Sequence, residues 1–181
     1  MLTSALPEGA ELRALEPWLA GEFASFVRRN RAHLGPWLPW ATTITDEEGA
    51  RQFLQRYADR QAADEGRIYG IWRGGELVGG TLFRVFDAGA GVCEIGVWLS
   101  AAAQGHGLVH QAARRMIDWA VGERGIVRVE WHTVPENVRS RAAAQRLGMV
   151  REGVLRQAFE LNGVRHDVEI WALLAADHKA G

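Results

Sequence analysis

Gln104-Gly105-His106-Gly107-Leu108-Val109 joins two segments of different pattern. Ahead of it, Cys93-Glu94-Ile95-Gly96-Val97-Trp98-Leu99 is a short apolar run that predicts a strand. Behind it, Leu108, Val109, Ala112, Ala113, Met116, Ile117, Ala120 and Val121 recur in adjacent pairs, the stripe of a long amphipathic helix. The order is strand, glycine loop, helix. The first turn of a helix has N–H groups with no intrahelical partner, at the positive end of its dipole. Glycines let a ligand approach the backbone closely and tolerate positive φ. Such a loop can receive a phosphate, although an ordinary tight turn before a helix would have the same composition. The sequence holds no G-x-x-x-x-G-K-[ST], and no third glycine follows at the dinucleotide-fold spacing.

The remaining chain alternates recognisable elements. Ala10 to Leu15 reads as a first strand, and Pro17 opens a helix with Leu19, Phe23, Phe26, Val27 and Leu34 on one face. Leu34-Gly35-Pro36-Trp37-Leu38-Pro39-Trp40, with two prolines and two tryptophans, reads as a stiff aromatic loop. It serves either as a hydrophobic plug or as a wall of an acceptor pocket. Thr45-Asp46-Glu47-Glu48 has the form of a capping box with Thr45 as cap, for a helix through about Gln61. Ile68–Trp72 and Leu77–Phe86 read as strands joined by Gly74-Gly75, and short links make the strands up to Leu99 antiparallel. The helix after the loop ends at Gly122 and Gly125. Val127–Val134 follows a strand–helix crossover, so it should run parallel to the Glu94 strand. Asn137 opens a short helix that Gly148 stops, and Asn162-Gly163 turns a final hairpin ending at Leu174, with a polar tail from Ala175.

Length and composition set outer bounds. The 181 residues suffice for one domain with a full core, taken as residues 1–181. A net charge of −1 implies neither nucleic acid nor an acidic membrane as partner. No run of about 18 apolar residues occurs, and the segment from Met1 lacks signal-peptide form, so a cytoplasmic location is expected. The one cysteine, Cys93, excludes an internal disulfide and reads as a buried small hydrophobe. The six histidines show no metal-ligand spacing, so no metal is expected.

The pattern Gln104-x-x-Gly107-x-Val109 directly after a strand resembles the signature of the GNAT acetyltransferase superfamily, Q/R-x-x-G-x-G/A, with Val109 in place of the usual last small residue. Asn137-Val138-Arg139-Ser140, Ala144 and Leu147-Gly148-Met149 resemble its second motif, N-x-x-[SA] then L-G-F. The Trp37–Trp40 stretch and the Asn162-Gly163…His166-Asp167 hairpin resemble the branch that acetylates ribosomal proteins. The resemblance implies an α/β (α+β) acyl-CoA N-acyltransferase fold. Its mixed, mostly antiparallel sheet has about seven strands and about four helices, with a splayed parallel pair at the centre. It implies acetyl-CoA as cosubstrate, gripped by amides of Gln104, Gly105, His106, Gly107, Leu108 and Val109, with Val97 and Leu99 along the pantetheine arm and Asn137 and Ser140 near the thiol.

The implied reaction is direct attack of an amine on the thioester in a ternary complex. The acceptor is a protein N-terminus in the ribosomal-protein branch. The other readings are a small amine, a polyamine or an antibiotic, or a non-catalytic coenzyme A module. The superfamily's tyrosine position is Ala144, so Ser140 or water protonates the leaving thiolate, whose thiol has a pKa of about 8.5. Asn137 as a helix cap and Ser140 as a first-turn residue are explained equally by local structure. Glu94, a carboxylate in an apolar strand, is the first candidate base unless it faces solvent, followed by Glu160 and His132. Trp37, Trp40 and Glu160 are expected around the acceptor. Arg114, Arg115, Arg139 and Arg141 are candidates for nucleotide phosphates or for plain solvation. A sheet edge and exposed tryptophans are compatible with a homodimer.

Overall fold

The computed structural model describes residues 3–178; residues 1–2, and 179–181 of the expected polar tail, lie outside the described residues. One eight-stranded sheet runs through it. Its strands are β1 (Thr3–Ala5), β2 (Ala10–Ala14), β3 (Arg67–Arg73), β4 (Glu76–Asp87), β5 (Val92–Leu99), β6 (Arg128–Thr133), β7 (Val150–Leu161) and β8 (Val164–Leu174), in the order β1-β2-β3-β4-β5-β6-β8-β7. The five α-helices are α1 (Ala20–Leu34), α2 (Pro39–Thr43), α3 (Glu47–Ala62), α4 (Leu108–Arg124) and α5 (Val138–Arg146). All neighbouring strands are antiparallel except β5 and β6, which are parallel across the α4 crossover as expected.

The helices sandwich the sheet. On one face Leu108, Ala112, Met116 and Ile117 of α4, with Ala144 of α5, pack on Ile71, Phe83, Cys93, Ile95, Val129 and Trp131. On the other, Phe23, Phe26 and Val27 of α1 and Phe53 and Leu54 of α3 pack on Ile68, Trp72, Leu82 and Trp98. The period-2 alternation of a strand makes this division: Cys93 and Ile95 face α4, while Glu94 and Trp98 face α1 and α3. Trp98 lies against the backbone of β4. A Cβ on Gly80 would meet Trp98 Cζ2 at 2.1 Å, so only glycine allows that approach.

Four local readings need correction. Eight strands exceed the expected count because β1 is three residues long, too short to carry alternation. The helix count rises because Trp40 belongs to a short helix, α2, with Pro39 at its first turn, where proline's missing N–H costs nothing. The cap of α3 is Asp46, whose carboxylate accepts from Gly49 N–H at 2.8 Å; Thr45 precedes it. Gly122 lies within the last turn of α4, and Gly125, with φ of 67°, is the residue that ends it.

Candidate functional site

The β5–β6 ladder pairs Val92 with Arg128, Cys93 with Val129 and Glu94 with Glu130, then stops. Beyond it β5 continues to Leu99 against β4 alone, and β6 continues to Thr133 against β8 alone. The two strands therefore part into a wedge whose inner edges carry backbone groups without strand partners. Such an edge takes an extended ligand by main-chain hydrogen bonding.

The glycine loop lies at the far end of β5. Gly105 and Gly107 have φ of 87° and 71°, and Gly107 is the residue from which α4 starts. A Cβ on either would meet no atom within 4 Å, so the loop is open on its outer side. No side chain caps the first turn of α4, which leaves its amides for a ligand. The loop is tethered at Gln104 and at His106. Arg139 donates to Gln104 Oε1, and the Gln104 amide donates to His33 Nε2 at 3.1 Å. His106 Nδ1 lies 2.7 Å from Glu8 Oε2, so its imidazole is engaged away from the backbone. Glu8 also accepts from Arg73 at 2.7 Å.

Ser140 stands at the third position of α5, below the wedge on the α4 side. Its N–H donates to Asn137 Oδ1 at 3.1 Å, and its hydroxyl accepts from Trp131 Nε1 at 2.9 Å. The Ser140 hydroxyl proton is left for another acceptor. α5 is fixed to the sheet through Glu169 of β8, a buried carboxylate that accepts from Arg141 Nε at 3.0 Å, Arg151 Nη1 at 3.0 Å and Trp171 Nε1 at 2.9 Å. Burial pushes the Glu169 carboxyl up, and these donors outweigh it and hold it below the usual carboxylate range.

On the opposite face, Glu94 is buried, at 8% exposure, and accepts from Arg84 through both oxygens, Nε reaching Oε1 at 2.5 Å. The solvent-facing alternative for Glu94 does not hold: the carboxylate points inward beneath α3. His132 lies beside it, with Nδ1 3.5 Å from Glu94 Oε2. Cys93, one residue back, faces α4, and burial pushes its thiol up to about 12, which suits a packing residue rather than a nucleophile.

Trp40 joins the aromatic cluster of Phe23, Phe53 and Trp98, at 5.6 Å from Trp98, and Trp37 is half-buried in the α1–α2 connection. Glu160 is exposed on β7 and pairs with Arg165 at 3.3 Å, apart from the Glu94 cluster. The hairpin tip bends toward α1: Asn162 Nδ2 donates to the Gly35 carbonyl at 3.4 Å, across 127 residues of sequence. Two shallow concavities elsewhere, one around Arg60, Asp64 and Asp87 and one around His110, Gln111 and Arg115, include no residue of the wedge. No group of three or more His, Cys, Asp or Glu among the described residues is placed to hold a metal ion. No helix among them is long and apolar enough to cross a membrane.

Sequence reasoning missed Trp131, Arg84, Glu130 and His33. Trp131 was legible only as an inward position of an alternating strand. Arg84 meets Glu94 through an irregularity in the β4–β5 register, which shifts between Phe83 and Val85 and leaves no trace in spacing.

Comparison with known proteins agrees with this geometry. The model of the acetyltransferase (GNAT) domain matches residues 11–150. The putative ribosomal N-acetyltransferase YdaF of Bacillus subtilis is 30% identical over 179 residues, 96% of each chain. The ribosomal-protein-serine acetyltransferase of Escherichia coli is 26% identical, over 94% of this chain and 95% of that one. A solved structure of RimL, a ribosomal L7/L12 alpha-N-protein acetyltransferase in complex with coenzyme A, superposes with a TM-score of 0.89 at 26% identity, over 97% of this chain and 99% of its own. With a wedge between parallel strands, a glycine loop opening the helix between them and that match over most of its length, the chain belongs to the GNAT acetyltransferases and is an acetyl-CoA-dependent N-acetyltransferase.

Proposed function

We propose that residues 1–181 form one catalytic domain that acetylates the α-amino group of a protein N-terminus within a ternary complex. The wedge carries the reading, because it has a proton donor on one face and a carboxylate–imidazole cluster on the other. Backbone N–H groups of Gly105, His106, Gly107, Leu108 and Val109, next to Gln104, hold the diphosphate of acetyl-CoA. The main chain at Val97 and Leu99 pairs with the pantetheine arm and aims an amide at the thioester oxygen. Asn137 and Ser140 sit at the thiol end. The amine enters from the α1–α3 face, past Trp37, Trp40 and Glu160.

The amine nitrogen bonds to the thioester carbon and the C–S bond breaks. The amine proton leaves on the face that carries Glu94, and the departing thiolate takes a proton from Ser140 or from water. An α-amino group, with a pKa of about 7.7–8.0, has an appreciable neutral fraction near neutral pH, whereas a lysine at about 10.4 has almost none. That asymmetry favours an N-terminus, as does the alpha-N-protein acetyltransferase activity named for RimL.

The test is thiol release from acetyl-CoA against peptides with free serine or alanine N-termini, the same peptides blocked at the N-terminus, and polyamines. Mass spectrometry then locates the acetyl group. Turnover of the free N-termini alone is expected. Equal turnover of blocked lysine-bearing peptides, or turnover of polyamines only, would overturn the acceptor assignment.

A further inference from the structure

Neighbouring residues of β6 face opposite ways across the wedge. Trp131 points toward α5 and holds Ser140. His132 points toward the α1–α3 face, two residues beyond Glu130, the last residue of β6 in the closed ladder. Its ring is held at one edge, where Nε2–H donates to Glu130 Oε2 at 2.8 Å, while Nδ1 faces Glu94 Oε2 at 3.5 Å. The first contact fixes the tautomer, with the proton on Nε2 and the lone pair on Nδ1. The gap at Nδ1 is too long for a hydrogen bond, so the lone pair is uncommitted.

Neither carboxylate is as free as that nitrogen. Arg84 occupies both oxygens of Glu94. Glu130 accepts from Arg128 Nε at 2.6 Å and from His132, and both partners hold its carboxyl below the usual range against the opposing pull of burial. Arg128 in turn pairs with the exposed Glu152 at 2.6 Å. A proton placed on Glu94 would break its pairing with Arg84. A proton placed on Nδ1 would sit against Glu94 Oε2, and the ring would face a carboxylate on each edge.

We propose that His132 takes the proton from the acceptor amine, and that Glu94 and Glu130 are positioning residues that orient its ring and face the charge it gains. The inference rests on the amine acetylation proposed above, but not on which amine is used. As the N–C bond forms and the C–S bond breaks, the amine's N–H proton passes to His132 Nδ1. The imidazolium returns that proton to solvent after the amide leaves. The other groups around the ring are Arg84 of β4 and Tyr57 of α3 behind Glu94, Arg128 and Glu152 behind Glu130, and the apolar Ile170, which pairs with His132 from β8.

The experiment compares His132→Gln, Glu94→Gln and Glu130→Gln with wild type. It records kcat and KM across pH with acetyl-CoA and whichever amine the wild type acetylates, with a melting curve for each variant. His132→Gln is expected to lower kcat about 100-fold, to leave the KM for acetyl-CoA within about twofold, and to abolish the acid limb of the profile. Added imidazole should restore part of the rate. Glu94→Gln and Glu130→Gln should keep that limb but displace it, with smaller losses. A folded His132→Gln with wild-type kcat and profile, or a limb lost in Glu94→Gln and kept in His132→Gln, overturns the proposal. Should His132→Gln fail to fold, an unmoved limb in Glu130→Gln overturns it instead. A wild type that acetylates only small amines overturns the acceptor assignment, and the His132 comparison is then read on that amine. A wild type that acetylates no amine overturns both.

Discussion

Ser140 is held by two hydrogen bonds, neither of which uses its hydroxyl proton. Removing the hydroxyl should therefore slow the chemical step without loosening the cofactor. Ser140→Ala is expected to lower kcat about tenfold. That is below the usual general-acid contribution of about 10²–10⁴, because a thiolate leaves readily. Trp131→Phe keeps an aromatic ring but removes the N–H that holds the serine, so part of the same loss should follow, with acetyl-CoA affinity unchanged in both by calorimetry. Glu169 acts on stability instead. Its folded pKa is depressed, so its contribution is complete above the unfolded value of about 4.3 and is lost as pH falls through the lower folded value. Glu169→Ala should lower the melting temperature near neutral pH by roughly 4–8 °C, for a loss of about 2 kcal/mol discounted for its partly exposed arginine partners. The difference from wild type should shrink on acidification below about pH 4.

The loop and the helix it opens were the most legible elements. The paired stripe of α4 reappears as Leu108, Ala112, Ala113, Met116, Ile117 and Ala120 buried against the sheet, and the strand ahead of it has the expected bounds within a residue. The final hairpin was equally plain, since Asn162 and Gly163 both adopt positive φ, as a two-residue turn demands. Less legible were elements whose form is set from outside. α2 is one turn stabilised by its aromatic neighbours, and β1 is ordered by its pairing with β2. Within the site, Gln104, Asn137 and Ser140 were marked by the motifs they resemble, but the contacts that hold Gln104 and Ser140, to Trp131 of β6, Arg139 of α5 and His33 of α1, have no local signature. A prediction at this scale concerns Gly105. A Cβ there meets nothing in the protein, so Gly105→Ala costs only backbone strain, about 1–2 kcal/mol. Its larger effect should be on coenzyme A binding, where calorimetry should show at least a tenfold weaker Kd.

At the scale of the molecule, the pairing of β5 with β6 ends after Glu94 and Glu130, and coenzyme A should fill the gap beyond. Amides of Val97–Leu99 that point away from β4 should exchange quickly in the free protein and slowly in the bound one. At a concentration of about 100 times Kd the ligand adds about 2.7 kcal/mol, which for a chain of this size raises the melting temperature by roughly 5–10 °C. Equal protection with and without coenzyme A would mean that the strands do not take the ligand between them.

On the side proposed to admit the acceptor, the hairpin tip meets the α1–α2 turn through the bond from Asn162 to the Gly35 carbonyl. At 3.4 Å it is a long bond, and its net worth is about 0.5–1 kcal/mol at most. So far as that latch sets the width of the doorway, thermal motion at ordinary temperature is enough to lift it. Guests of different girth can then be admitted by the same rigid frame, with selectivity left to the walls deeper in.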